Sequence, residues 1–383
     1  MKELLETLDG WQHDGVGVGR AIVVRTFGSA PRPEGAVLLV ADDGRIAGSV
    51  SGGCVEGAAA EEIARARKDG HRRVIRYGIS DEEAWDVGLA CGGTIDVLVE
   101  PVVPDAAVEA ARASAAGRGG GRAIVTRLPA DAPPASFGAH EPGAGEPVGV
   151  PVAIDEDGAL QGPADALPAA HDEPAIREAA HDALLRGTSR TITVGDTQYF
   201  IEAYPLRPRL VVVGAVEVAR SLVRLAAELG FETVVIDGRS AFATKERFPS
   251  VDRLVVGWPD EVAEEIGLGA ADAVAVLTHD VKFDEPAIIE ALRRGCRYVG
   301  AVGSKKTQAD RRARLAEAGV TPEELDRLRG PIGLDLGGRA PSETALAILA
   351  EVVAERYGGS GVPMRELASK VRFVAEPTPV TAG

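Results

Sequence analysis

The fold of the second half of the chain follows from one stretch, Leu210-Val211-Val212-Val213-Gly214-Ala215-Val216-Glu217-Val218-Ala219. Its first residues form a short apolar run, which is typical of a strand buried on both faces of a parallel sheet. Gly214 then permits a tight turn, and a helix pattern follows, as in the first strand–turn–helix unit of a Rossmann-like sheet. The stretch therefore predicts a doubly wound α/β domain.

More apolar runs follow this one, with helical stretches between most of them. They occupy residues 233–237, 253–256, 273–277 and 298–302. Such alternation predicts parallel strands joined by right-handed crossovers. We expect this Rossmann-like domain to span residues 208–360, with a long helix at 342–356 and a short tail at 361–383.

The first 207 residues show a different pattern, in which β-rich runs alternate with glycine turns. Asp42-Asp43-Gly44 predicts a hairpin turn, and Gly70 predicts the end of a helix. The predicted strands are 21–26, 36–40, 45–50, 94–99, 122–128, 148–154 and 191–204, and the predicted helices are 58–68 and 173–186. We expect one N-terminal α+β domain over residues 1–207, with a single mixed sheet and a long surface loop at 129–147.

Composition limits the classes of function. The chain has 383 residues, of which 45% are hydrophobic, so packed cores are expected and general disorder is excluded. Its net charge of −16 disfavours nucleic acid and anionic membrane surfaces as partners. The sequence shows neither a secretory signal nor a membrane-spanning run, so we expect a cytoplasmic protein. Three cysteines do not make a disulfide scaffold, and Cys296 is expected to be a packing residue.

Two cysteines lie beside paired glycines, in Ser51-Gly52-Gly53-Cys54 and in Cys91-Gly92-Gly93. Paired glycines let backbone N–H groups converge on an anion, and a helix start adds partial positive charge. The same field favours a thiolate at Cys54, the form that binds soft metals or carries sulfur, although Glu56 works against it. Both thiols could face one cavity. A tight turn, inert packing or a disulfide remain the alternatives.

The dinucleotide fingerprint in the opening stretch is incomplete. Val216 occupies the position where glycine lets the pyrophosphate approach, and Glu217 places negative charge at the helix start. Asp237 follows Gly214 by about 20 residues, which suits a ribose hydroxyl. The pattern favours the Rossmann-like fold over ordinary NAD binding.

Further candidates follow later strands, where open α/β sheets place their ligands. His279 and Asp280 are a candidate proton relay, and Ser304 and Lys305 could hold an anion at a helix start. In the first domain, Arg32 could clamp a phosphate bidentately. Capped helices and a solvated turn arginine are the alternatives.

In their order along the chain, these motifs resemble the XdhC/CoxI family of accessory proteins for molybdenum hydroxylases such as xanthine dehydrogenase and carbon monoxide dehydrogenase. The resemblance is carried by Gly28-Ser29-Ala30-Pro31-Arg32, Gly48-Ser49-Val50-Ser51-Gly52-Gly53-Cys54-Val55-Glu56, Cys91-Gly92-Gly93, Thr278-His279-Asp280, Gly303-Ser304-Lys305 and Pro331-Ile332-Gly333-Leu334-Asp335. The chain departs from the family pattern at Val216 and Glu217, where glycine and histidine are usual, and at Ala30, where serine is usual.

The resemblance implies a chaperone rather than a turnover enzyme. It would bind the molybdenum cofactor (molybdopterin or its nucleotide form), assist its sulfuration and insert it into an apo-hydroxylase, with a cysteine desulfurase as a second partner. Cys54 and Cys91 are implied for the metal and sulfur. The implied cofactor-binding residues are Ser29, Arg32, Ser51, Gly52, Gly53, Gly92, Gly93, Gly214, Asp237, Ser304 and Lys305. An NAD(P)-dependent oxidoreductase and a persulfide sulfur relay are the alternatives, and a homodimer is left open.

Overall fold

The computed structural model describes residues 1–78, 93–117, 120–129, 148–155, 158–163, 166, 169 and 172–366. The chain divides into two compact units, of which the first spans Met1–Leu206 and the second begins at Arg207. Cys91, Gly92, most of the expected loop at 129–147 and most of the expected tail lie outside the described residues.

The first unit combines helices with short strands. Its helices are α1 Leu5–His13, α2 Glu56–Asp69, α3 Asp105–Ala116 and α4 Glu173–Arg186. Its strands are β1 Val18–Phe27, β2 Val37–Ala41, β3 Ile46–Gly48, β4 Arg73–Gly78, β5 Thr94–Glu100, β6 Arg122–Leu128, β7 Val152–Asp155, β8 Leu160–Gln161, β9 Arg190–Val194 and β10 Thr197–Tyr204. The predicted β2–β3 hairpin is confirmed, and Gly70 ends α2 in the left-handed conformation with φ +76°.

The strands of this unit form two five-stranded sheets, ordered β3-β2-β1-β5-β4 and β8-β7-β6-β10-β9. All their described pairings are antiparallel, so the expectation of one mixed sheet was wrong. The predicted strand at 191–204 is a hairpin that turns at Gly195, where φ is +58°. Its second strand pairs with β6, and a second sheet results. Leu128 and Phe200 from this sheet pack in one core with Ile22 from the first.

The second unit is a parallel six-stranded sheet in the order β13-β12-β11-β14-β15-β16. Its strands are β11 Arg209–Val213, β12 Glu232–Ile236, β13 Arg253–Val255, β14 Ala273–Val276, β15 Tyr298–Ala301 and β16 Leu328–Arg329. Its helices are α5 Glu217–Glu228, α6 Pro259–Ile266, α7 Val281–Arg293, α8 Lys305–Glu317, α9 Pro322–Asp326 and α10 Pro341–Tyr357. Buried apolar clusters cover both faces of the sheet, and the Rossmann-like prediction is confirmed.

The strand order of the second unit reverses between β11 and β14, which is where open α/β sheets form a ligand crevice. Gly214 follows β11 with φ +108°. A Cβ at this glycine would lie 2.4 Å from Thr278 Cγ2, so the close approach of the two turns requires glycine. Within the described parts of both units, no helix is long and apolar enough to span a membrane.

Candidate functional site

Three of the predicted motif segments leave the first sheet at the same end. Phe27, the last residue of β1, pairs with Thr94, the first residue of β5. On the other side of β1, Ile22 pairs with Val37 at the start of β2, and β2 in turn pairs with β3 where β3 ends at Gly48. The segment that follows Phe27 and Gly93, which precedes Thr94, therefore adjoin at the end of β1, and the segment that follows Gly48 leaves the sheet in the same direction from the level of Ala21.

Gly93 and Ser29 are in close contact at this sheet end. A Cβ on Gly93 would lie 2.7 Å from the Ser29 carbonyl oxygen and 3.0 Å from the Ala30 amide nitrogen, closer than real Cβ contacts allow. The absence of a side chain at Gly93 thus lets the two backbone segments meet. Because Cys91 lies outside the described residues, the expectation that its thiol and that of Cys54 face one cavity stays a prediction.

The Glu56 carboxylate occupies the anion cradle that we expected to hold a phosphate. Six hydrogen bonds of 2.6–3.2 Å reach its two oxygens, from the hydroxyls of Ser49 and Ser51 and from the N–H groups of Val50, Ser51, Gly52 and Gly53. Burial opposes ionisation, but the bonds from Ser49 and Ser51 outweigh it and lower the pKa of Glu56 to about 2. The amides of Gly52 and Gly53 are therefore engaged by an internal anion.

The same loop fixes the position of Cys54. Ser51 is buried, and its hydroxyl accepts the N–H groups of Cys54 and Val55 at 3.0 Å each, just before α2 begins. Gly52 and Gly53 have φ values of +82° and +121°, which favour glycine. The Cys54 thiol is half-buried and forms no disulfide with any cysteine that the structure describes. Cys296 is fully buried instead, and burial raises its pKa to about 12, as suits a packing residue.

The loop after β1 is held at one point and exposed at another. The carboxylate of Glu34 accepts the Thr191 N–H at 2.9 Å, and burial raises the pKa of this carboxyl to about 7. The next residue, Gly35, packs so closely on Ser189 that a Cβ would lie 2.6 Å from its hydroxyl oxygen. Arg32 is exposed, and no carboxylate of the described residues forms an ion pair with it. A cation is thus displayed on an anchored loop.

In the second unit, the carboxylate expected to bind a ribose is used internally. Asp237 is 2% exposed and accepts the Ala215 N–H at 2.8 Å. It also accepts the Arg239 guanidinium at 2.7 Å. Burial opposes ionisation of Asp237, but the bonds from Arg239 and Ala215 lower its pKa. Glu217 pairs with Arg220 at 2.9 Å at the start of α5. A bound nucleotide would have to compete with Ala215 and Arg239 for Asp237 and with Arg220 for Glu217.

The remaining candidates in the second unit mostly serve helix ends. Asp280 accepts the Lys282 N–H at 3.0 Å and caps α7, while Ser304 accepts the Thr307 N–H at 3.1 Å and caps α8. His279 and Lys305 are exposed. These contacts agree with the alternative of capped helices. Among the described residues, no group of three or more His, Cys, Asp or Glu side chains suits a metal.

Sequence reasoning missed a buried ion pair beneath these caps. Asp284 is 1% exposed, receives the Arg311 guanidinium at 3.0 Å and accepts a hydrogen bond from the Thr278 hydroxyl. Burial raises the pKa of Asp284 in spite of these bonds. The sequence feature that could have indicated this ion pair is an aspartate at a helix position that faces the core. The pair joins α7 to α8.

Comparisons with known proteins cover both units. The XdhC and CoxI family model matches residues 11–78, and the model of the XdhC Rossmann domain matches residues 210–352. The chain is 26% identical over 345 residues to a Bacillus subtilis protein named as a probable subunit of xanthine dehydrogenase, covering 88% of this chain and 92% of that protein. It is 27% identical over 343 residues to "Molybdenum cofactor insertion chaperone PaoD" of Escherichia coli, covering 89% and 84%.

A solved structure is similar over nearly the whole chain. It is described as a xanthine dehydrogenase from Bacillus halodurans, with a TM-score of 0.63 and 27% identity. The match covers 97% of this chain and 98% of the other. The architecture of both units is therefore shared with a solved protein.

Proposed function

Because the chain belongs to the XdhC and CoxI family, we propose that it is an accessory protein in the maturation of a molybdenum enzyme, with the molybdenum cofactor as its cargo. The relative named as a molybdenum cofactor insertion chaperone supports this role, since the match covers 89% of this chain. The client is a molybdenum hydroxylase that receives the cofactor from this carrier.

One observation carries the assignment of the cargo site: the half-buried thiol of Cys54 lies in the glycine-rich loop that leaves β3 and forms no disulfide with a described residue. Cys54 follows two glycines whose Cβ positions are open, with no described atom within 4 Å. A ligand can therefore approach the backbone beside the sulfur. Thiolate sulfur is a soft ligand that suits a molybdenum–sulfur centre. We assign contact with the metal or its sulfur to Cys54, and to Cys91 on the family resemblance alone.

The phosphate of the cargo needs a cation outside the Ser49–Gly53 loop, because Glu56 already uses the donors of that loop. Arg32 is an exposed guanidinium on the segment that follows β1, and a guanidinium can bind two phosphate oxygens in parallel. Glu34 holds the base of this segment against Thr191. We therefore assign the phosphate to Arg32, with Ser29 beside it.

Sulfuration gives the same thiol a second possible task. In a relay, the Cys54 thiolate would attack the outer sulfur of a persulfide on a cysteine desulfurase. The sulfur–sulfur bond of the donor would break, the donor cysteine would leave as a thiolate, and Cys54 would carry the new persulfide. Mass spectrometry of the protein after incubation with desulfurase and cysteine tests this, and an unmodified Cys54 excludes the relay.

Retention of the cargo tests the proposed function. The protein is produced in cells that synthesise the cofactor, and its molybdenum and its pterin fluorescence are measured after purification. We expect Cys54→Ala to retain at most about a tenth of the wild-type molybdenum. Cys296→Ala, which changes a buried cysteine in the second unit, is the matched control and should retain the wild-type amount. Equal retention by all three proteins removes Cys54 from the site.

A further inference from the structure

Two exposed aromatic rings follow neighbouring strands of the second unit. Phe242 lies in the loop after β12 and is 40% exposed, and Trp258 follows β13 and is 44% exposed. Because β12 and β13 are parallel neighbours, the segments that follow them leave the same edge of the sheet, at the carboxyl ends where open α/β sheets bind ligands. Most other rings of this unit are at most 6% exposed: Phe231, Phe248, Phe283 and Tyr298. Large exposed rings at such an edge indicate a binding surface.

The position of Trp258 is fixed by packing. Its ring centroid lies 5.5 Å from that of Phe283, with the two ring planes at 57°. Phe283 is 6% exposed and belongs to the apolar cluster on one face of the sheet. At the end of β12, a Cβ on Gly238 would lie 3.4 Å from Phe283 Cε2 and 3.9 Å from the Gly257 carbonyl oxygen. The end of β12 is therefore next to the Trp258 segment.

Two guanidiniums contact the Phe242 ring. The Cζ of Arg239 lies 4.1 Å from the ring centroid and that of Arg247 lies 5.1 Å from it, both within the range of a cation–π contact. Arg239 is anchored, since its Nε and Nη2 donate to Asp237 at 2.9 and 2.7 Å. Arg247 donates through Nη1 to the Phe242 carbonyl oxygen at 3.1 Å. The ring thus holds two guanidiniums close together beside the end of β12.

These guanidiniums keep N–H groups that a ligand can use. No carboxylate of the described residues forms an ion pair with Arg247, and its Nε and Nη2 groups have no acceptor among those residues. The Nη1 group of Arg239 is also without an acceptor in the described part of the chain. The carboxylates of Asp237 and, at longer range, Asp280 raise the pKa of Arg239, and Glu246 precedes Arg247. The surface therefore attracts an anion through directed hydrogen bonds rather than through excess charge.

A dinucleotide matches this surface poorly, because its pyrophosphate has to lie along the turn after β11. Val216 takes the place of a glycine in that turn, and Glu217 adds negative charge. A nucleoside monophosphate has a single phosphate and needs no contact with that turn. It offers a planar base to an exposed aromatic ring and a doubly charged phosphate to neighbouring guanidiniums. The surface therefore favours the smaller ligand.

We propose that Trp258, Arg239 and Arg247 form a binding site for a nucleoside monophosphate. Trp258 stacks on the base, and the two arginines bind the phosphate, since a guanidinium can donate to two phosphate oxygens in parallel. Gly238 connects the two halves of the site, because it lies beside the Trp258 segment and directly precedes Arg239. The site goes beyond the proposed function, which places the molybdenum cofactor on residues of the first unit.

Calorimetric titration of the full chain with AMP, adenosine and inorganic phosphate tests the site. We expect the wild type to bind AMP at least about tenfold more tightly than either adenosine or phosphate. Trp258→Ala should weaken AMP binding about tenfold or more, and Trp258→Phe should keep most of the affinity, because stacking needs an aromatic face. Arg247→Gln should weaken AMP binding about tenfold and leave adenosine binding unchanged, because adenosine has no phosphate.

Tyr357→Ala is the matched control and should bind AMP as the wild type does. Tyr357 is also exposed, at 53%, and has an arginine Cζ 5.5 Å from its ring centroid, but it ends α10. No binding of AMP to the wild type at millimolar concentration overturns the site, since stacking tolerates any base. Equal affinities for AMP and phosphate, or equal weakening by Trp258→Ala and Tyr357→Ala, also overturn it. A protein that retains molybdenum but binds no AMP keeps the proposed function and loses this site.

Discussion

Glu56 Oε2 lies 2.8 Å from the amide nitrogen of Gly53, three residues before it, and so closes a loop around its own carboxylate. The loop has the two features expected of a phosphate cradle, paired glycines and a helix start, but its negative charge is internal. The chain thereby obtains a rigid turn beside Cys54 that does not depend on a bound ligand. Backbone N–H groups that converge without an acceptor would destabilise the loop. The ionised carboxylate of Glu56 offsets this cost because it accepts their hydrogen bonds.

Glu56→Gln tests this internal anion. The amide retains one acceptor oxygen and loses the charge, so at least one bond of the loop has no acceptor. We expect the free energy of unfolding to fall by about 2 kcal/mol, the scale of hydrogen bonds to charged groups. Denaturant unfolding at neutral pH measures it. Glu61→Gln, at an exposed position of the same helix, is the control and should change little. Equal stability of the two variants contradicts the account.

Glu34 predicts a dependence of stability on pH. Its pKa is raised in the folded protein from the ordinary value of 4.5 to about 7. The folded state therefore favours the protonated Glu34 carboxyl. The stability that this protonated carboxyl contributes is complete below pH 4.5 and is lost as the pH rises through about 7. Glu34→Gln should flatten this part of the stability curve and stabilise the protein most at the alkaline end. Unfolding measured across the interval checks it, and a parallel curve for both proteins contradicts it.

The contact between Gly93 and Ser29 predicts a strict requirement for glycine. In Gly93→Ala the new methyl group would lie 2.7 Å from the Ser29 carbonyl oxygen, which is a backbone atom and cannot rotate away. We expect a loss of about 1–3 kcal/mol in the free energy of unfolding. Gly57→Ala is the control, since its Cβ position is open and lies in a helix, where alanine is preferred. A neutral Gly93→Ala would show that the two segments are not in contact.

The second unit is expected to bind dinucleotides poorly. Asp237 is engaged by Ala215 and Arg239, and Val216 stands where the fingerprint has glycine. Thermal unfolding with millimolar NAD(H) or NADP(H) should give no rise in Tm, because a ligand stabilises by about RT ln(1 + [L]/Kd). Val216→Gly alone should not create binding, since Asp237 remains engaged. A clear rise for the wild type would restore the oxidoreductase alternative.

Local patterns predicted most of the secondary structure. The helix expected at 173–186 coincides with α4, because its bounds are marked by Pro174 and Gly187 in the sequence itself. The division of the first unit into two sheets was not predicted, because a glycine at position 195 does not by itself indicate that the strand expected at 191–204 turns back as a hairpin. Apolar runs in the sequence indicate that strands exist, but they do not indicate which strands pair with each other.

The candidate site was predictable in its motifs and not in its contacts. Ser49, Gly53 and Glu56 are close in sequence, yet only the folded loop shows that the glutamate reaches back to them. Ser29 and Gly93 are far apart along the chain and meet because β1 and β5 pair where Phe27 lies opposite Thr94. Side-chain partners that depend on sheet order cannot be read from spacing.

Insertion of the cofactor into a client is the most direct measurement. Purified protein that carries molybdenum cofactor is mixed with an apo-form of a molybdenum hydroxylase, and the activity of the hydroxylase is followed. The account predicts that the loaded wild type activates the apo-enzyme more than the same amount of free cofactor, and that Cys54→Ala prepared in parallel activates it at most about a tenth as well. Activation by the loaded protein no greater than by free cofactor would contradict the carrier role.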